Sequence, residues 1–180
     1  MSDKVHLLIV DDERDFLDSA AESLESRGFD VTKAPNAEDA LRVAEQGLFD
    51  LVLLDLRMPG MDGKELLKAL KREHKFLEVI ILTGHGSIDS AVDCTKLGAF
   101  SYLTKPCDLD QLLEVLKHAY EARLRKKFEF DDERFREIER IAERWKPETL
   151  LRDARRQMAS KPSFIRSVFR ELRKLDDDVK

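Results

Sequence analysis

Short apolar runs and amphipathic stretches alternate along the first two thirds of the chain. Residues 5–10 (VHLLIV) are nearly all apolar and end in acids, as a buried strand does. Phe16, Leu17, Ala20, Ala21 and Leu24 then recur at the spacing of one helix face, predicting a helix over 13–27 with Gly28 as its stop. Val31 anchors a weaker second strand. Asn36 can cap a helix reaching Gln46, with Gly47 beyond it. The pattern repeats: a strand at 51–54, a helix at 64–72, a strand at 79–82, a helix capped by Ser87 and running to Leu97 before Gly98, and a strand at 100–103. Asp108 can cap a fifth helix starting near Leu109.

Strands alternating with helices predict an α/β fold, a doubly wound parallel sheet with helices on both faces. The runs LVLL and VIIL are apolar throughout, as strands covered on both sides are. In such sheets ligands sit outside the carboxyl ends of the strands.

All seven glycines precede residue 99, and the sequence then reads helical almost to its end. After Leu109 the apolar residues Leu112, Leu113, Leu116, Ala119, Tyr120 and Leu124 continue the fifth helix toward Lys127. Asp131-Asp132 suit a helix N-terminus and predict a new helix with Phe135, Ile138, Ile141, Ala142 and Trp145 as its apolar face. Pro147 and Pro162 open two more. The expected organisation is a domain over residues 1–126 and a helical extension of three short helices over 127–180. Helices that short are marginal alone, so the extension is expected to dock, to carry output or to form a homodimer.

Composition sharpens this. The chain has 180 residues, 42% hydrophobic and 38% charged, with a formal charge of −5. That hydrophobic share is too high for general disorder. No apolar run approaches a membrane span, and the N-terminal strand meets acid too early for a signal peptide, so a cytoplasmic protein is expected. Cys94 and Cys107 are too few for a disulfide framework or a cysteine metal site.

The predicted strand ends carry the chemistry. Strand one delivers Asp11 and Asp12; strand three delivers Asp55, then Arg57 and Asp62-Gly63. Strand four delivers Thr83-Gly84, and strand five Lys105-Pro106. A single acid at a strand end is unremarkable. Three carboxylates together repel one another unless a cation joins them. Hard oxygen donors suit Mg²⁺. A carboxylate beside Mg²⁺ and a lysine stays ionised and can attack phosphorus.

In these residues the chain resembles the receiver domain of two-component response regulators. The resemblance rests on Asp11-Asp12, the segment Asp55-Leu-Arg-Met-Pro-Gly-Met-Asp-Gly, Thr83-Gly84, Lys105-Pro106 and Tyr102 three positions before the lysine, and covers about residues 4–124. It implies a flavodoxin-like sheet of strand order 2-1-3-4-5. It implies Asp55 as phosphoacceptor and Asp11, Asp12, Asp55 and the Arg57 carbonyl around Mg²⁺. Thr83 and Lys105 would contact the phosphoryl oxygens, Thr83 and Tyr102 would form a switch pair, and the Lys105–Pro106 bond would be cis. A sensor histidine kinase would supply the phosphoryl group, and the protein would be a switch and not a turnover enzyme. Signal output is then expected through the surface of the fourth helix, fifth strand and fifth helix.

Other residues carry weaker readings. His85 either tunes water access to the site or stays exposed. Met58 and Met61 cover loop surface or core edge. Arg57 stands where haloacid dehalogenase-type hydrolases place a general acid, a role arginine cannot fill. Alternatives for output are a DNA-binding transcription regulator, since residues 150–174 hold eight basic side chains against two acidic, or a phosphorelay carrier. DNA binding is not favoured, because proline punctuates these helices where a helix-turn-helix uses a glycine-bearing turn. An output protein partner remains open.

Overall fold

The computed structural model describes residues 4–145, with side chains up to Arg136. The elements are β1 (His6–Val10), α1 (Arg14–Glu25), β2 (Asp30–Ala34), α2 (Ala37–Gln46), β3 (Leu51–Leu54), α3 (Gly63–Glu73), β4 (Glu78–Thr83), α4 (Ile88–Lys96), β5 (Ser101–Thr104) and α5 (Leu109–Trp145). The five strands form one parallel sheet in the order β2-β1-β3-β4-β5. Architecture and strand order are those expected.

Side chains on a strand alternate between faces, and β1, β3 and β4 are apolar on both. Leu8, Val10, Val52, Leu54, Val79 and Ile81 face a core shared with Ala40, Ala44, Leu66, Leu67, Leu70 and Cys94 from α2, α3 and α4. Leu7, Ile9, Leu51, Leu53 and Ile80 face the other core, with Leu17 and Leu24 of α1 and Leu112, Leu116 and Ala119 of α5. Two cores on one sheet explain why the central strands read as unbroken apolar runs.

The helices start where their caps stand. Asn36 Oδ1 accepts the Asp39 N–H at 2.8 Å, Asp62 Oδ1 that of Lys64 at 3.0 Å, and Ser87 Oγ that of Ser90 at 3.1 Å. Gly28 and Gly98 follow α1 and α4 at φ of 92° and 95°, the left-handed conformation that ends a helix.

The fifth helix differs from expectation. It runs unbroken through Asp131-Asp132 to Trp145, so residues 131–145 belong to α5 and are no separate short helix. No glycine or proline lies between Pro106 and Pro147 to stop it. Aspartates in the interior are tolerated because Asp132 accepts from Arg136 at 2.7 Å, one turn on. The chain divides into two compact units between Lys127 and Phe128. The helices expected after Pro147, and the basic segment within them, lie outside the described residues.

Candidate functional site

The sheet ladder builds the site. Beyond the strands, the Asp11 N–H donates to Ala34 O, the Asp55 N–H to Val10 O at 2.9 Å, and the Lys105 N–H to Thr83 O at 2.9 Å. These bonds bring the carboxyl ends of β1, β3, β4 and β5 to one edge, with Asp11, Asp55, Thr83 and Lys105 at the ends of adjacent strands. Asp11, Asp55 and Thr83 are buried, at 1%, 6% and 0% exposure, while Asp12 is exposed. Carboxylate oxygens of Asp11, Asp12 and Asp55 lie within 4.8 Å of one another.

Lys105 bridges them. Its Nζ donates to Asp11 Oδ2 at 2.6 Å, to Glu13 Oε1 at 3.3 Å and to Asp55 Oδ2 at 3.5 Å. It also lies 4.0 Å from the centroid of the Phe16 ring. Burial opposes the charge on Lys105, but the hydrogen bond to Asp11 and the fields of Asp11 and Asp55 outweigh it and raise its pKa above the ordinary lysine value. Asp11 is raised as well. Its burial exceeds the help it draws from Lys105 and from the Glu13 N–H, and the Asp55 charge adds to the effect.

Buried Asp11 and Asp55 and exposed Glu13 thus share one ammonium, and exposed Asp12 adds a fourth carboxylate beside them. That excess of oxygen donors and negative charge fits a small hard divalent cation. The donor set matches Mg²⁺, with Asp11, Asp12 and Asp55 as the side chains positioned to hold it.

The remaining residues take their places around this cluster. The Arg57 backbone N–H donates to Asp55 Oδ1 at 3.1 Å, fixing the carboxylate from the loop side. Among the described residues Thr83 Oγ1 accepts only a long 3.4 Å bond from the His85 N–H, which leaves its hydroxyl proton uncommitted to that contact. The Lys105–Pro106 peptide bond is cis. Tyr102 is half-buried on β5, and its hydroxyl is shielded without a hydrogen-bond partner among the described residues. His85 is exposed, Met58 is at the core edge and Met61 is exposed. Cys94 is buried and its thiol pKa is pushed up by that burial, as is that of the half-buried Cys107, so both are poor nucleophiles.

Glu13 and Phe16 were not singled out by sequence as site residues. Glu13 was readable only as a helix cap and Phe16 only as a core position of α1. The available signal was their place in the first turn after Asp11-Asp12, which the topology seats over the lysine. Glu13 makes no side-chain cap for α1; its own N–H is held by Asp11 Oδ1 at 3.0 Å.

Comparison with known proteins places the chain in a family. The family described as response regulator receiver domain matches residues 7–117. The transcriptional regulatory protein GlrR of Escherichia coli strain K12 is 43% identical over 116 residues, which is 64% of this chain and 26% of that protein. FixJ of Bradyrhizobium diazoefficiens, also a transcriptional regulatory protein, is 39% identical over 119 residues, 66% of this chain and 58% of that one. The chain therefore spans about a quarter of the length of GlrR. A CheY-like response regulator receiver domain protein from Methanospirillum hungatei superposes with a TM-score of 0.66 at 32% identity, covering 68% of this chain and 98% of that one. NtrX from Brucella abortus superposes with a TM-score of 0.68 at 32% identity, covering 77% and 34%. No helix among the described residues is long and apolar enough to cross a membrane.

Proposed function

Since the chain belongs to the response regulator receiver family, we propose that it accepts a phosphoryl group on Asp55 from a sensor histidine kinase. The observation that carries this reading is Lys105, anchored on β5, reaching both Asp11 and Asp55 across the strand ends. In the transfer an Asp55 carboxylate oxygen attacks phosphorus while the bond from phosphorus to the donor imidazole nitrogen breaks, the electron pair leaving with the ring. Lys105 follows the growing charge from Asp55 onto the phosphoryl oxygens. The Thr83 hydroxyl, weakly engaged at rest, donates to another of them. Mg²⁺, held by Asp11, Asp12, Asp55 and the Arg57 carbonyl, would neutralise charge on the transferring oxygens. The chain's own residues orient and neutralise; they turn over no metabolite, so the protein is a phosphoacceptor switch.

Output is read through α4, β5 and α5. Support comes from Ile88 and Val92 on α4, at 84% and 46% exposure, large apolar groups left open next to the strand that carries Tyr102. Withdrawal of Thr83 toward the phosphoryl group frees space behind it for the Tyr102 ring, whose unpartnered hydroxyl gives up no hydrogen bond on moving. The residues after 127 form the second part of this output. DNA binding by them is a second reading, supported by the transcriptional regulator relatives. Duplex binding that weakens steeply with salt would establish it.

The deciding experiment is intact-mass analysis after incubation with a small phosphodonor such as acetyl phosphate, with and without Mg²⁺. Wild type should gain one phosphoryl group only with the metal, and Asp55→Asn should gain none. Equal labelling of wild type and Asp55→Asn would reject Asp55 as the acceptor.

A further inference from the structure

The part of α5 beyond the receiver carries a pattern that the phosphoryl site does not use. Starting at Leu124, the positions 124, 128, 131, 135, 138, 142 and 145 follow steps of four and three. They read Leu, Phe, Asp, Phe, Ile, Ala and Trp, so six of seven are apolar. Alternating steps of four and three are the seam of a two-stranded coiled coil, and the backbone is helical through all of them. Phe128, within this seam, is 41% exposed.

The charges beside the seam say what would cover it. In a parallel pair, the residue just before one inner position faces the residue five places later on the partner helix. Those pairs are Lys127 with Asp132 and Arg134 with Glu139, and both join opposite charges. An antiparallel pair centred on the same turn would set Asp132 against Asp132 and Arg134 against Arg134. The charges flanking the seam are therefore all complementary in the parallel orientation and mixed in the antiparallel one, which would also join Arg125 with Glu139.

We propose that residues 124–145 of α5 pair with the same segment of a second copy of this chain as a parallel, in-register two-stranded coiled coil. The interface is independent of whether Asp55 takes phosphate. Asp131 is the one polar residue on the seam, and it faces its own copy there. Such a residue lowers stability, and Lys127 and Arg134, one turn to either side on its own helix, moderate its charge. Asp132 is bonded to Arg136 on the same helix, but that pair is exposed and exchangeable at little cost.

The test is the molar mass of the full chain by light scattering after size exclusion. Wild type should be a dimer. The double variant Lys127→Glu/Arg134→Glu should run at half that mass, as should Asp132→Lys/Glu139→Lys. An equimolar mixture of the two variants should return to the dimer mass, which also shows that each is folded. A monomeric wild type would overturn the proposal, the seam then being covered within one chain. Two variants that each stay dimeric would place the interface elsewhere and overturn it too, as would a mixture that fails to recover.

Discussion

Among single residues, Asp11 shows how the site trades stability for readiness. It is buried beside Asp55, and its pKa is raised above the ordinary aspartate value by that burial, the Lys105 contact offsetting only part. The folded state therefore holds the Asp11 proton more tightly than the unfolded chain, whose aspartates titrate near about 3.9. Its share of stability is full below that value and is lost as pH rises through the raised folded pKa. In metal-free buffer at neutral pH, Asp11→Asn should therefore melt above wild type. The advantage should shrink as pH falls toward 4. Adding Mg²⁺ should raise the wild-type midpoint more than that of the variant. A variant that melts below wild type at neutral pH would show that the Lys105 bond outweighs burial. Asp11 was legible in the sequence by its place at a strand end. Its perturbation was not, because burial depends on the ladder bond of Asp11 to Ala34 and on Lys105, 94 residues away.

At the scale of elements, turn and cap chemistry made most boundaries readable, and close packing decided what that chemistry could not show. Asn36 was legible as a cap, and removing it with Asn36→Ala should cost about 1 kcal/mol in urea unfolding without touching phosphoryl uptake. Gly63 was legible only as part of a motif. A Cβ there would meet Leu56 Cα at 2.6 Å, Asp55 O at 2.8 Å and Leu56 O at 2.9 Å, all backbone. Helix α3 starts against the backbone of Asp55 and Leu56, so nothing flexible can yield. Gly63→Ala should destabilise by about 1–3 kcal/mol and also slow Asp55 labelling, where Asn36→Ala should not. Equal labelling by the two variants would mean that the α3 contact does not set the position of Asp55. The length of α5 was misread because Asp131-Asp132 have the composition of a helix start. Such a start needs a break before it, and the stretch from Lys127 offers no glycine or proline to make one.

For the molecule as a whole, the two ends of the sheet serve different purposes, and this determines where the receiver ends. The candidate site occupies the carboxyl ends of the strands. The amino ends are held by charge instead. Buried Glu78, the first residue of β4, is 1% exposed and takes Lys126 of α5 and, at 3.5 Å, Lys71 of α3. Asp50, just before β3, takes Arg123 of α5 at 2.8 Å, and both side chains are about seven-eighths buried. None of this was legible, since the partners lie 73 and 48 residues apart and each looks like an ordinary surface charge in sequence. The family match stops at residue 117, before both clamps. A chain ending at Lys127 should keep the stability of the receiver and its Mg²⁺-dependent labelling of Asp55. A chain ending at Ala122 retains every residue of the site but strands Glu78 with Lys71 alone and leaves Asp50 without its guanidinium. Removing one partner of a buried ion pair costs about 3–5 kcal/mol, a figure that bounds the loss of Arg123 from Asp50 while half-exposed Lys126 adds less, so the shorter chain should unfold at lower urea than the longer one. Coincident urea midpoints for the two would mean that the receiver is complete by Ala122 and that the clamps only decorate it.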